Sequence, residues 1–542
     1  MSKPTKITPR TRALAWWKER VEGHRYVVST SESPSPAVAG VLRKQRLVLD
    51  IANKRVWILT QPDRTDEREV FLRNYWAVID IVLRGWAPAA IADISAVRLH
   101  LGEAVPPRAL PAIQGANQSR YELELFDEFT LQLRPGTLSE ERIIRLPATH
   151  AEVNVLGAAD LLTTLDLPEL ERDLEAVSAW LRHLVIAQPS LDAAVTHRPR
   201  PLVLARLGAL ARELGNRALA EQLDTAVRAV TEYPPGAFAT GIGSRISVPA
   251  PLIAAPRGTG EPWLDRQAMT LERFRAELDA LLEERVGPAP GLRLSTLIGN
   301  ARQAKQYDAY HNTTMEGYRI SEAVSDAVVS GKPLTGPITS EAELRAVMAV
   351  QGYSRAFDLV IERARQAGSR TGSHAIDESL MLDLYGELFR PAVDSGTVSE
   401  ADLRGWRTIN VGLAGGWRHV PPSPVKLVSL IRGVSEYLAR PDLKPLTRAV
   451  LAHIEFVTIH PFIDGNGRLA RLLMNYALLT AGYPWITIRS DERFPYFQAL
   501  ERAQADGDVK PIGKFLALHI AQSVAAACSA PDSVRPRSRG YE

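Results

Sequence analysis

One segment constrains this chain before any other. Residues 232–262, EYPPGAFATGIGSRISVPAPLIAAPRGTGEP, are crowded with Pro, Gly and Ala and hold no sustained helical period. Pro removes backbone donors and Gly widens backbone freedom, so such a stretch does not thread through a packed core. The chain therefore has to fold as more than one body, with 232–262 as the linker and a second unit opening near Trp263. The length of 542 residues is enough for several domains. Gly241 and Gly243 sit inside the stretch with no strand before them and no helix after, so they read as linker, not as a nucleotide loop.

The composition excludes several classes. Hydrophobic residues make up 45% and charged residues 23%, which suits a globular protein and not a disordered or fibrous one. Sixty-five basic against 62 acidic side chains give a net charge of +3, too little to commit the whole molecule to nucleic acid or a membrane surface. The single cysteine, Cys528, excludes an internal disulfide framework and a cysteine-built zinc site. No apolar run approaches the roughly 18 residues of a membrane span, and the start of the chain, MSKPTKITPRTR, lacks the apolar core of a secretory signal. A cytoplasmic protein without a membrane partner is the expectation.

The periodicities differ on the two sides of the linker. Upstream, helices at 11–21 and 35–46 lead into the alternating run LVLDIANKRVWIL with Asn53-Lys54 at a hairpin tip. That order predicts a winged-helix module over 1–70. A mixed α/β domain follows over 71–231, with strand-like segments at 121–133 and 141–156 and helices at 168–185 and 201–230. Downstream, a 3.6-residue period predicts helices at 265–284, 295–311, 340–366, 376–390, 425–439, 445–459, 466–481 and 511–526. Residues 405–423 break the period with alternation and glycines, which predicts a short β-hairpin. The expected fold is thus multidomain: an α/β N-terminal part and an all-α domain over 263–528 with one hairpin, followed by a disordered tail at 529–542.

The chemistry concentrates in His460-Pro-Phe-Ile-Asp-Gly-Asn-Gly-Arg468-Leu-Ala-Arg471. Pro461 cannot continue the preceding helix, so His460 is delivered at a helix C-terminus. Gly465 and Gly467 let the backbone turn tightly, and their amides with the first turn of the next helix form an anion nest at its positive end. Arg468 and Arg471, three residues apart, share a face of that helix and offer guanidinium forks suited to phosphate. Asp464 is a hard oxygen ligand beside the nest. Phe462 reads as a core anchor.

This stretch resembles the signature of the Fic family, HPFx(D/E)GNGRxxR, at every specified position. The resemblance covers roughly Trp263 to Ser529. It implies a protein adenylyltransferase that moves AMP from ATP to a Ser, Thr or Tyr hydroxyl of a target protein. Carried over residue by residue, His460 resembles the general base, and Asp464 the ligand of Mg²⁺ on the α- and β-phosphates. Gly465, Asn466 and Gly467 would cradle the α-phosphate, Arg468 would steady the β-phosphate and Arg471 would meet the γ-phosphate. The hairpin at 405–423, followed by Pro421-Pro-Ser-Pro424, resembles the Fic flap, along which an extended target peptide lies.

Residues 311–318, His-Asn-Thr-Thr-Met-Glu-Gly-Tyr, resemble the Fic inhibitory motif (S/T)xxxE(G/N), with Asn312 at the Ser/Thr position. The resemblance implies that Glu316 pairs with Arg471 and denies it to the γ-phosphate. It leaves open a reverse reaction that removes AMP from the target.

Arg43, Lys44, Arg46, Lys54 and Arg55 lie where a recognition helix and wing would meet phosphate. The N-terminal half resembles abortive-infection type antitoxin or regulator proteins. Its module could read DNA, or serve protein contacts and homodimerisation. The rival to the enzyme is a DNA-binding regulator whose Fic half acts as a sensor or self-modifying control.

Overall fold

Alternation at 48–59 and a Ser-Pro start at 35–36 set the first elements. The computed structural model describes residues 8–61, 66–116, 118–165, 167–231, 261–334, 336–368 and 375–529; the linker expected at 232–262 and the expected tail fall almost wholly outside them. The described residues divide into two compact units. One runs up to Arg266 and includes Gly412–Val420; the other holds the remainder from Gln267 onward.

In the first unit, helices Pro9–Glu22 and Pro36–Lys44 each begin with Pro in the first turn, where its missing N–H costs nothing. Three short strands, β1 (Val27–Ser29), β2 (Val48–Ile51) and β3 (Val56–Leu59), form an antiparallel sheet in the order β1-β3-β2. Asn53 and Lys54 stand at positive φ at the hairpin tip, where the sequence puts them. Trp16 and Trp57 meet edge to face at 6.1 Å in a core shared with Val28, Val38 and Leu42.

A second sheet follows from β4 (Ala89–Ile91), β5 (Ala109–Gln114), β6 (Tyr121–Phe126), β7 (Phe129–Pro135), β8 (Ile143–Ala148) and β9 (Ala151–Leu156). Its order is β6-β7-β5-β4-β9-β8. The strand-like segments at 121–133 and 141–156 each prove to be a hairpin. Helices pack around this sheet, including Glu67–Arg84, which the sequence reading did not single out. The N-terminal part is therefore mixed α/β.

The second unit is helical. Its helices are Gln267 onward of Pro262–Arg285, then Leu294–Met315, Glu322–Val329, Glu341–Gly368, Glu378–Asp394, Leu427–Leu438, Pro445–Ile459, Asn466–Thr480, Arg493–Asp506 and Lys510–Ser529. The two that were not foreseen, Glu322–Val329 and Arg493–Asp506, are short or weakly amphipathic. Lys510–Ser529 corrects the expectation about membrane-length segments. It reaches the length and mean hydropathy (1.2) of a span despite Lys514 and His519, and it buries Ile512, Leu516, Ala517 and Ile520 in the domain.

The β-hairpin predicted at 405–423 is also corrected: no strand forms there. The backbone groups a ladder would use are taken by side chains. In the first unit, Arg68 Nε donates to the Gly416 carbonyl at 3.0 Å, and Gly415 N–H donates to Glu69 Oε2 at 3.2 Å. In the second, Arg407 holds the Ile409 and Pro422 carbonyls. Glycines at 412, 415 and 416 and the Pro421-Pro422 pair further lower strand preference.

Helices Glu341–Gly368 and Glu378–Asp394 pass so closely at Gly352 that a Cβ there would sit 1.8 Å from the Leu388 carbonyl oxygen. Backbone cannot move aside as a flexible side chain can. Gly352→Ala is expected to destabilise the protein by about 2 kcal/mol, read as a lower denaturant midpoint at unchanged slope.

Candidate active site

Helix Pro445–Ile459 runs almost entirely buried into the site and stops at His460. His460 takes the left-handed conformation (φ 51°), and its N–H closes the helix on the Phe456 carbonyl at 3.0 Å. For a non-glycine residue that conformation costs on the order of 1 kcal/mol, so something must hold it. Arg407 does. Its Nε donates to the His460 carbonyl at 2.9 Å, and its own N–H donates to the Pro461 carbonyl at 2.9 Å. With Ile409 and Pro422, its guanidinium is bonded to three carbonyls, and burial without a carboxylate lowers its pKa to about 10.

Phe462 is 1% exposed and stacks on Tyr385 at 3.6 Å, which pins the start of the loop. Asn466 closes it: its Oδ1 accepts from Phe462 N–H at 3.0 Å and its Nδ2 donates to the Phe462 carbonyl at 2.9 Å. Both ends of that side chain thus hold the shape of the loop. Gly465 stands at φ 80° as the cap of helix Asn466–Thr480, and a Cβ there would strike Leu388 and Phe389 at 2.8 and 2.9 Å. The first-turn amides of Asn466, Gly467 and Arg468 precede the first bond at this end, Leu469 N–H to the Gly465 carbonyl, and so have no partners within the helix.

Arg468 and Arg471 are each 1% exposed. Arg468 Nη2 reaches Asp464 Oδ2 at 3.3 Å and its guanidinium lies over the Tyr318 and Phe389 rings, while its buried Nε has no hydrogen-bond partner. Arg471 donates from Nη2 to Glu316 Oε1 at 2.6 Å and from Nε to Asn312 Oδ1; the Tyr496 hydroxyl is also close to its guanidinium, and its buried Nη1 makes no well-aligned hydrogen bond. At Gly467 a Cβ would sit 2.4 Å from Glu316 Oε1 and 3.2 Å from Arg471 Nη1. The glycine therefore keeps open the very spot where the carboxylate enters. Glu316 lies just past the end of helix Leu294–Met315, which Gly317 closes at φ 90° and whose Met315 carbonyl accepts from Arg493 Nε at 2.9 Å.

Asp464 is half exposed and accepts from Gly465 N–H at 2.6 Å and from the Tyr318 hydroxyl at 3.1 Å. Among the described residues no group of three or more His, Cys, Asp or Glu side chains is gathered as a metal cage. The sequence alone suggests an ordinary imidazole at His460. The structure differs: burial first, with the Arg407 charge adding to it, pushes its pKa down to about 4. Its Nδ1 lies 3.3 Å from the Val457 carbonyl, which favours a proton on Nδ1 and leaves Nε2 as the basic atom.

The fold thus gathers His460, Asp464, Gly465, Asn466, Gly467, Arg468, Arg471 and Glu316 around one loop. Sequence reasoning missed Arg407 and Tyr318, as well as the polar partners of Asn312. Arg407 stands in the segment that alternation assigns to a hairpin, so nothing marked it as part of the site. Arg407→Ala is expected to lower stability by about 2 kcal/mol by stripping three carbonyls of a charged donor, and denaturant titration checks it.

The chain is similar to known proteins in the stretch that holds this loop. Residues 375–478 match the family model described as Fic/DOC family. A protein named "Protein adenylyltransferase Fic" from Nematostella vectensis is 31% identical over 233 residues, 42% of this chain and 49% of its own. A protein of the same name from Drosophila willistoni is 44% identical over 262 residues, 47% of this chain and 46% of its own. The chain thus spans about half the length of the curated relatives it matches. Among solved structures, a Fic-domain-containing signaling protein from Bacteroides thetaiotaomicron is 18% identical with a TM-score of 0.37, covering 48% of this chain and 96% of that one. The stretch 375–478, which holds the loop from His460 to Arg471, is thus similar to the Fic/DOC family.

Proposed function

We propose that the protein is a protein adenylyltransferase, held off by its own Glu316. The observation that carries this is a pair of buried guanidinium groups, each with an unsatisfied N–H, beside a glycine that leaves no room for a side chain. Arg468 Nε and Arg471 Nη1 are donors taken out of water without a well-aligned acceptor, a costly state that a polyphosphate would relieve. The first-turn amides supply the remaining donors for the α-phosphate, and Asn466 fixes their geometry through Phe462.

With ATP in place, neutral His460 would accept a proton at Nε2 from a target Ser, Thr or Tyr hydroxyl. The freed oxygen attacks the α-phosphorus as the bond to pyrophosphate breaks, and AMP stays on the target oxygen. Catalysis here is positioning and charge stabilisation. Asp464, with one carboxylate, suits a Mg²⁺ ion held mainly by phosphates and water, which would neutralise charge on the phosphates. Residues 405–411, which Arg407 ties to the catalytic loop, are the surface along which the target would lie.

Glu316 takes the Nη2 edge of Arg471 that the γ-phosphate would use. Glu316→Gly is expected to raise self- or target adenylylation at least tenfold, and His460→Ala to abolish it, as intact-mass analysis with Mg²⁺ and ATP would read. Wild type and the Glu316 variant labelling equally would sink the block.

The pH profile checks the base. A folded pKa near 4 means that His460 is already neutral at pH 6, and that activity on the acid side falls only as pH drops through the folded value. In the Glu316→Gly protein, kcat/KM should hold between pH 7 and about 5.5. A loss centred near pH 6.5 would contradict a desolvated base.

The module at 9–59 fits a winged helix by its element order. Lys44, Arg46 and Lys54 are exposed on it, whereas Arg43 is bound to Asp50 at 2.9 Å. Retention of the full chain on duplex DNA that weakens with salt and disappears in a K44A/R46A/K54A variant would support DNA reading. No retention would leave the module to protein contacts.

A further inference from the structure

Glu316 is not the one residue of its helix that touches Arg471. One turn earlier, Asn312 Oδ1 accepts from Arg471 Nε, and the Asn312 carbonyl lies 3.5 Å from Nη2. Asn312 is 2% exposed and is not free to turn away. Its Nδ2 donates to Asp308 Oδ1 at 3.0 Å and to the Asp308 carbonyl at 2.9 Å. Asp308 is fully buried and is itself held from two other elements: the Tyr353 hydroxyl donates to Oδ2 at 2.6 Å, and the Thr487 hydroxyl donates to Oδ1 at 2.6 Å. Tyr353 belongs to helix Glu341–Gly368, and Thr487 to the segment after helix Asn466–Thr480.

We propose that the helix Leu294–Met315 is a positioning element of the site as well as the carrier of its block, with the relay Asp308–Asn312 aiming Arg471 at the terminal phosphate of the nucleotide. The inference rests on the triphosphate reading of the loop. The two contacts act on different edges of one guanidinium. Asn312 takes Nε, the atom nearest the backbone, and so sets the plane of the group. Glu316 takes Nη2, and Nη1 makes no well-aligned bond next to Gly467. Removing Glu316 releases Nη2, which joins Nη1 in an orientation that Asn312 still holds. Removing Asn312 frees the whole side chain to rotate, and the fork no longer meets a phosphate with both arms. Two neighbours on one helix therefore have opposite signs: loss of Glu316 activates and loss of Asn312 impairs. Asn312 and Asp308 are positioning residues, acting through Arg471.

The test uses the full chain carrying Glu316→Gly as parent, with calorimetric titration of ATP and of ADP in Mg²⁺. Adding Asn312→Ala should weaken ATP binding on the order of tenfold and leave ADP binding within about twofold, because only the terminal phosphate loses its partner. Tyr353→Phe, which removes a single hydroxyl and keeps the ring, should shift ATP in the same direction by a smaller factor while ADP stays put. Equal losses for both nucleotides would mean a merely structural role, and unchanged ATP binding in both variants would mean no role; either overturns the relay. A parent that takes up neither nucleotide overturns the triphosphate reading itself, and the relay falls with it.

Discussion

A guanidinium withdrawn from water has to be surrounded by acceptors, because an unpaired buried charge is among the most expensive features a fold can contain. Arg471 imposes that condition on the helical unit. Its Nε and Nη2 reach Asn312 and Glu316 on one helix, and Nη1 is left beside Gly467. The helix Leu294–Met315 is consequently registered against the loop to within a hydrogen-bond length. The polar chain behind it, through Asp308 to Tyr353 and Thr487, extends that registration to other elements of the unit. Burial raises the pKa of Asp308, and the hydroxyls that donate to it keep the carboxylate supplied with partners.

The loop is shaped by a second set of constraints that work on backbone. Pro461 stops a buried helix, His460 is forced to a left-handed turn, and Arg407 bonds the carbonyls on both sides of that turn. The same burial that makes the turn rigid strips the imidazole of water and keeps it neutral. Rigidity and neutrality here have one cause. Asn466 belongs to this set too, since its amide both accepts from and donates to the Phe462 backbone.

Much of this was readable in advance, for physical reasons that can be named. Helix Pro445–Ile459 was placed to the residue because Pro marks both ends, and helix Asn466–Thr480 to within one residue because Gly465 precedes it. The strand order of the six-stranded sheet was not readable, since it joins strands far apart in sequence. The hairpin at 405–423 was misread because alternation records which side chains face inward, and says nothing about which backbone groups have already been taken. Arg68, Glu69 and Arg407 had taken them.

The sequence by itself determined which chemistry is present: an imidazole at a helix stop, a glycine-framed anion nest, two arginines on one face and a glutamate followed by glycine. Those are local facts, set by spacing along a single helix or turn. Only the tertiary structure decided which of these groups meet. Residue 316 reaches residue 471, residue 407 grips residue 460, and residue 308 braces residue 312 with help from 353 and 487. Such pairings depend on how helices pack, and packing is a property of whole buried faces that no short stretch of residues encodes alone.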